Sequence, residues 1–332
     1  MIRYEAMADD VARIRFSLSP LGESVYSMRM LASPELRRQH LPWVHDIRPR
    51  LKSVDLRPLR AVIPPSGYIP DFLTPAPGAA PAGIDEELEA VRATDPEEFV
   101  QEVAWMAADT GTPAAWRSDA APLHRQMLAR PERAIGTLTE VLRTYWRLAL
   151  EPYWRRLQRE LHHDIGSRMR IMESSGAASV FSSLHERVAW DGSQLSVQSD
   201  YEFRSKLDGQ GIVLVPSIFC GSEVLTMLPP LQSMVVYPRP GGADIWKRGL
   251  TDRPGPLAAL VGKVRSSVIE SLVIPASTSE LAAEINCTPG AISQHISVLR
   301  DCNIVVSRRV GRRVIHSLTE TGEALLRGAA TG

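Results

Sequence analysis

Apolar residues recur at helical spacing through most of the first 180 positions. Val11, Ile14 and Leu18 form one stripe, Pro20 breaks it, and Val25, Met28, Leu31 and Leu36 follow before Trp43, so residues 1–48 are expected to be mostly helical. From Ile84 to Met106 the stripe is Leu88, Val91, Phe99, Val103 and Met106, set among eight acidic residues, the pattern of a solvated amphipathic helical pair. Glu132 to Met172 repeats Leu138, Leu142, Tyr145 and Leu148 and then Trp154, Leu157, Leu161 and Ile165, with Pro152 expected to kink or split the helix. The period then shortens. Val188-Ala-Trp190, a turn at Asp191-Gly192 and Leu195-Ser-Val197 read as a hairpin, because Asp-Gly supplies the positive φ values of a tight strand turn. Ile212–Val215 and Met234–Tyr237 add two short strands, giving a small antiparallel sheet at about 186–237.

Eight of the 25 prolines fall between Pro49 and Pro81, where the backbone must be irregular. Ile63, Tyr68, Ile69, Phe72 and Leu73 in this stretch are too apolar for a free linker and predict a loop folded onto a core or lining a pocket, with Pro75 to Gly83 the more linker-like piece. Pro238-Arg-Pro-Gly-Gly242 marks turns, and a linker is expected over 238–255. The expected organisation is a helical domain with a small sheet over 1–237, the linker, and a second domain over 256–332. The fold class is mainly α with a small antiparallel β-sheet, α+β.

The second domain carries the most specific pattern. Ser277-Thr278-Ser279-Glu280 is a capping box opening a helix over Thr278–Ile285. Asn286-Cys287 makes a turn, Thr288 is placed to cap the next helix, and Pro289 suits its first position. Ile292, Ile296 and Leu299 recur at i, i+4 and i+7 and form a buried stripe. Gly290, Gln294 and Ser297 then look outward, flanked by Ala291, Ser293 and His295. After Asp301-Cys302-Asn303, Ile304-Val-Val306 and Val314-Ile-His316 read as strands around a tip at Val310-Gly311-Arg312. Arg308, Arg309, Arg312 and Arg313 crowd that tip, where guanidinium forks suit phosphates or a narrow minor groove. Helix, turn, helix and hairpin in this order make a winged helix-turn-helix, a duplex-DNA reader. The expected contact set is Thr288, Gly290, Ala291, Ser293, Gln294, His295, Ser297, Arg300, Arg308, Arg309, Arg312 and Arg313. Gln294 is the base reader, since its amide matches N6 and N7 of adenine.

Three runs carry a family resemblance: Ser277-Thr-Ser-Glu-Leu-Ala-Ala-Glu-Ile285, Thr288-Pro-Gly-Ala-Ile-Ser-Gln-His-Ile-Ser-Val-Leu-Arg-Asp301 and Thr319-Glu-Thr-Gly-Glu-Ala-Leu-Leu326. Over about the last eighty residues the chain resembles ArsR-type winged-helix repressors, with Leu260-Val-Gly-Lys-Val-Arg265 similar to the first helix of that module. The resemblance implies a homodimer paired through Pro256–Leu272 and Glu320–Ala329. It does not extend to metal sensing, because Ser279–Ile285 has no cysteine and Thr319–Gly328 no histidine. The runs Pro64-Pro-Ser-Gly-Tyr-Ile-Pro-Asp-Phe-Leu-Thr-Pro75, Pro152-Tyr-Trp154 and Leu214-Val-Pro-Ser-Ile-Phe219 resemble a domain preceding the winged helix in some actinobacterial ArsR-like regulators. This implies a one-chain regulator with a large added domain and carries no activity with it.

Composition narrows the classes. A chain of 332 residues with 44% hydrophobic and 23% charged residues is globular, and its formal charge is zero. Residues 251–332 hold nine Lys or Arg against seven Asp or Glu, an excess too small for a nonspecific DNA coat and concentrated at the hairpin tip. Cys220, Cys287 and Cys302 are too few and unpaired for a disulfide framework and are expected to be packing residues in a reducing compartment. No signal-like or membrane-length apolar run occurs, so a cytoplasmic location is expected, with no membrane partner.

His162-His163-Asp164 points in several directions from a helix and reads as a solvated face, and His45-Asp46 lacks further ligands, so no metal is expected. No glycine-rich phosphate loop, Gly-x-Ser-x-Gly elbow or HExxH helix is present, so neither catalysis nor a cofactor is expected. Tyr68, Asp71, Phe72, Trp146, Tyr153 and Trp154 are the candidate lining of an effector pocket, or plain core. The reading is a sequence-specific transcriptional regulator, a repressor by its resemblance, whose first domain senses a small molecule or partner. The alternatives are an enzyme fused to a DNA-binding tail and an architectural or protein-recruiting DNA binder.

Overall fold

Helix Pro20–Ala32 is buried on every side from Pro20 through Met30. The computed structural model describes residues 1–78, 83–241, 245–246, 256–285, 287–311 and 313–330. Two units separate by their contacts, Met1–Trp246 and Lys247–Gly332. In the first, Ser19 starts the buried helix, its hydroxyl accepting from Gly22 N–H at 2.8 Å. A helix without a wet face must answer its polar groups internally. The Glu23 carboxylate accepts from the N–H groups of Ile218 and Phe219 at 2.8 and 3.2 Å. Ser27 shares a hydrogen bond of 2.8 Å with the Tyr145 hydroxyl, and Arg29 donates to the carbonyls of Pro64, at 3.0 Å, and Gly67.

Two four-stranded sheets follow from strands β1 (Ile2–Glu5), β2 (Arg15–Phe16), β3 (Val188–Trp190), β4 (Gln194–Val197), β5 (Phe203–Lys206), β6 (Val213–Ser217), β7 (Leu225–Met227) and β8 (Met234–Pro238). Their orders are β3-β4-β1-β5 and β2-β6-β8-β7. Neither is the antiparallel sheet the pattern suggested: β1 runs parallel to β5, and β6 parallel to both β2 and β8. All five residues of β6 are buried, the mark of a strand covered on both faces, as parallel strands are. Val213, Val215, Met234 and Val236 face the larger helical core, whereas Leu214, Val235 and Tyr237 face a smaller core shared with the first sheet. The 188–197 hairpin forms as expected, with Gly192 at φ +104° and the Asp191 carboxylate accepting from the N–H groups of Ser193 and Gln194.

The mostly helical reading of residues 1–48 fails at its start. Ile2 and Tyr4 are buried while Arg3 and Glu5 are half-buried, a period of two that places β1 inside a sheet, and Arg15 and Phe16 form β2. The acidic pair Ile84–Arg92 and Pro96–Ala108 buries Leu88, Val91, Phe99, Val103 and Met106, but Glu87 turns inward and accepts from Leu21 N–H at 2.7 Å. Pro152 acts as expected: helix Pro131–Tyr145 passes through a π-turn at Trp146–Leu150 before Glu151–Ser175 begins, because proline has no amide hydrogen to donate backward. In the proline-rich loop Ile63, Phe72 and Leu73 are buried and Tyr68 and Ile69 pack partly onto the core. Positions 79–82 of its linker-like piece lie outside the described residues. Within the expected linker, Ile245 and Trp246 are buried in the first unit, Trp246 donating to His40 Nδ1 at 2.8 Å. Positions 242–244 and 247–255 are outside the described residues. The solvated reading of His162-His163-Asp164 fails at Asp164, which is buried and accepts from the Tyr237 hydroxyl at 2.8 Å. Cys220 is buried as expected, Cys287 is half-buried, and Cys302 is exposed, since it follows the last turn of its helix on the solvent side. Among the described residues, no helix is long and apolar enough to cross a membrane.

Burial raises the pKa of Asp71 to about 6, of Glu23 and Glu102 to about 7 and of Glu87 to about 8. A carboxyl whose folded pKa is raised contributes stability that is complete below its unfolded value and is lost as pH rises through the folded one. His40, lowered by burial to about 4, opposes this only below its unfolded value of 6.5. The melting temperature is therefore expected to fall between roughly pH 6.5 and 9. Glu87→Gln should flatten the upper part of that fall in calorimetry at stepped pH, and a flat wild-type profile would contradict the buried-acid account.

Candidate nucleic-acid interface

In the second unit, helix Pro256–Val261 ends at Gly262, whose φ of +86° turns the chain into helix Lys263–Ser271. The single helix expected across Leu260–Arg265 is thus broken, because a left-handed residue cannot continue a right-handed helix. The capping box forms: Ser277 N–H donates to Glu280 Oε2 at 2.7 Å and Glu280 N–H to Ser277 Oγ at 3.4 Å, opening helix Thr278–Ile285. Thr288 Oγ1 accepts from Ala291 N–H at 3.3 Å at the head of helix Pro289–Asp301. Ile292, Ile296 and Leu299 lie in the core of the unit.

At the far end Asn303, φ +55°, closes a Schellman turn in which Ile304 N–H reaches Leu299 O at 2.8 Å and Asn303 N–H reaches Arg300 O at 2.9 Å. A three-stranded sheet follows, made of β9 (Ala276–Ser277), β10 (Val305–Val310) and β11 (Arg313–Leu318), in the order β10-β11-β9. Gly311 sits at the hairpin tip with φ +60°. The closing helix Glu320–Ala330 approaches the sheet so closely at Gly322 that a Cβ there would overlap the Ile304 carbonyl.

Helix 289–301 exposes Thr288, at its cap, and Gly290, Ser293, Gln294 and Arg300, while Ala291, His295 and Ser297 are half-buried. Val298, absent from the expected surface, is 41% exposed. On the hairpin, Arg308 pairs across to Ile315 and Val310 to Arg313, so Arg308 and Arg313 share one face. Arg309 pairs with Val314 on the other face and bonds the Gly311 carbonyl at 3.3 Å. All three arginines are exposed, and Arg312 lies outside the described residues. The outward helix face and the wing together offer hydroxyl, amide and guanidinium donors and no carboxylate before Asp301.

Sequence reasoning missed the residue that ties these parts together. His316, buried on β11, has Nδ1 2.8 Å from Ser307 Oγ on β10 and Nε2 3.0 Å from Thr278 Oγ1 on the first helix of the pair. Burial, and then the charge of Arg300, lowers its pKa. No spacing motif announces it, because its two partners are 9 and 38 residues away.

Residues 274–307 match the family model described as bacterial regulatory protein, arsR family. This segment is an arsR-type helix-turn-helix. The chain is also similar to the HTH-type transcriptional regulator Rv2034 of Mycobacterium tuberculosis, 36% identical over 70 residues, which are 21% of this chain and 65% of that protein. The chain therefore spans about two thirds of its relative's length, all within a fifth of its own. No solved structure matches.

The candidate pocket residues fall into two sets within the first unit. The Tyr68 hydroxyl is 3.2 Å from Asp71 Oδ2, and its ring stacks on Trp105 at 4.6 Å, while Phe72 packs on Phe99 at 5.1 Å. Trp146 and Trp154 meet edge to face at 5.1 Å, and Tyr153 bonds Asp46 and abuts Trp246. No ring contact or hydrogen bond among the described residues joins the sets, and none of the six lines the cleft around Arg168 and Arg239 or the one around Lys206 and Asp208.

Ser277→Ala removes half of the capping box and is expected to cost about 1 kcal/mol. In the full chain this should appear as faster amide hydrogen exchange over 278–285 with the first unit unchanged. Unchanged protection would show that the cap is not holding that helix.

Proposed function

We propose that the protein is a sequence-specific DNA-binding transcriptional regulator, acting as a repressor, whose first unit senses a ligand or partner. The observation that carries this is the arsR-type segment with its donor-rich helix face beside an arginine-bearing hairpin. Gln294 is the base reader, Ser293 and the exposed helix start approach the backbone, and the arginines hold phosphates. A homodimer is part of the reading, since twofold symmetry matches a palindromic operator. Leu260, 70% exposed on helix Pro256–Val261, supplies an apolar residue for that pairing. Binding DNA as a regulator implies a cytoplasmic protein that needs no catalysis.

Selection from random duplexes should yield a palindromic preferred site. On that site Gln294→Ala is expected to relax one or two base positions by roughly 1–3 kcal/mol. Arg313→Ala should instead weaken all duplexes alike and reduce the slope of log affinity against log salt by about 1. If wild type shows no preference among random duplexes, or if both variants bind the preferred site normally, the reading fails.

A further inference from the structure

Helix Pro289–Asp301 has four large apolar side chains, and three of them, Ile292, Ile296 and Leu299, lie in the core of the unit. The fourth, Val298, is 41% exposed. A single surface valine is ordinary, so exposure alone carries nothing. Its position carries more. At about 100° per residue, Val298 sits about 40° round the helix from Gln294 and about 20° from Ala291, well away from the buried stripe. It therefore belongs to the outward ridge of the base reader, one turn further along.

The side chain suits contact better than display. Valine is a poorer helix former than alanine or a straight-chain residue, because it loses side-chain freedom against the preceding turn. What it supplies in exchange is a stiff pair of methyl groups, since a β-branched side chain in a helix holds one χ1 rotamer and its apolar surface is set in place beforehand. Its neighbours on the ridge are polar or small: Gln294 is exposed, and Ala291 and Ser297 are half-buried. Asp301, exposed three residues on, carries a charge that phosphates repel, so the surface able to approach a duplex ends at Val298. From Gly290 to Val298 this surface is about 12 Å long, close to the width of the major groove.

The apolar feature that a base edge offers in the major groove is the 5-methyl group of thymine. Gln294 and Val298 are about 6 Å apart along the helix axis, less than two base-pair steps of about 3.4 Å. We propose that Val298 is a second base reader, its methyl groups packing on the 5-methyl group of a thymine within two base pairs of the adenine that Gln294 contacts. Cytosine at that place lacks the methyl group and turns its N4 donor toward the valine, and a purine turns its N7 acceptor, so each leaves a polar atom without a partner. This role depends on the DNA-reading function proposed above and adds to it the identity of a neighbouring base.

The test uses the full-length protein and the duplex it prefers among random sequences, with each thymine replaced in turn by deoxyuracil, which pairs identically and lacks only the methyl group. At one thymine position the replacement is expected to raise Kd about fourfold, the loss of one buried methyl group. Val298→Ala should raise Kd for the thymine duplex by a similar factor and abolish the difference between thymine and uracil at that position. Val298→Ile keeps the branched methyl groups and should retain the difference. Alanine is the better helix former, so the melting temperature of Val298→Ala should not fall. The proposal is overturned if the preferred duplex holds no thymine, if no uracil replacement weakens binding, or if Val298→Ala keeps the full ratio of thymine to uracil affinity, including the case in which it weakens binding through a changed oligomeric state. A protein with no preference among duplexes would remove the regulatory reading together with this one, whereas a normal preference with uracil tolerated everywhere would remove this one alone.

Discussion

Charged groups on a helix with no access to water set the terms for the whole first unit. Glu23 has to find donors inside the protein, and it takes them from the two amides that follow β6, which pins the exit of the central sheet to helix Pro20–Ala32. Arg29 has to find acceptors and takes the Pro64 and Gly67 carbonyls, giving the proline-rich loop its anchor. Glu87 reaches in from helix Ile84–Arg92 to hold Leu21 N–H. One helix thus fixes a sheet, a loop and a second helix through three ionisable side chains. The end of β8 is tied to the same place, because Arg239 N–H bonds Ser217 O at 2.8 Å, just ahead of the segment that Glu23 holds.

The second unit is governed by short-range chemistry. Its helix starts are set by hydroxyls three residues from the amides they accept from, and its turn by a left-handed Asn303. His316 adds the long-range element. By facing two hydroxyls it joins the wing to the first residue of helix Thr278–Ile285, so the hairpin arginines and the helix before the one that carries Gln294 are referred to one buried ring. Both unit designs meet the same demand, that a buried polar atom be bonded, but one meets it across two hundred residues and the other mostly within ten.

This difference explains what could be read from the chain alone. The capping box, the Thr288 cap, the buried Ile292, Ile296 and Leu299 and the hairpin all depend on neighbours in sequence, and their spacing disclosed them, the helix starts at the observed residues and the hairpin strands only in part, since they run over Val305–Val310 and Arg313–Leu318 rather than 304–306 and 314–316. The strands β1 and β2 were hidden, since four and two residues give too few periods to outweigh a helical stripe and their partners are about 200 positions distant. The parallel course of β6 was legible in principle, as Ile212 to Val215 is an unbroken apolar run rather than an alternation. Nothing in the local sequence distinguishes Glu87 from its acidic neighbours, or Asp164 from the histidines before it; only the partner across the core decides which carboxylate turns inward. The aromatic residues of the candidate pocket are legible as large and apolar, but which of them packs on which is a tertiary fact.

The pairing of β1 with β4 and β5 has a consequence for biosynthesis. β1 lies between two strands that are synthesised about 200 residues after it, so Ile2–Glu5 must wait through that much elongation, unpaired and with Ile2 and Tyr4 uncovered. At roughly 5–20 residues per second that interval is on the order of ten seconds or more. During it the growing chain carries an open strand, a natural handle for chaperones that bind extended apolar peptide.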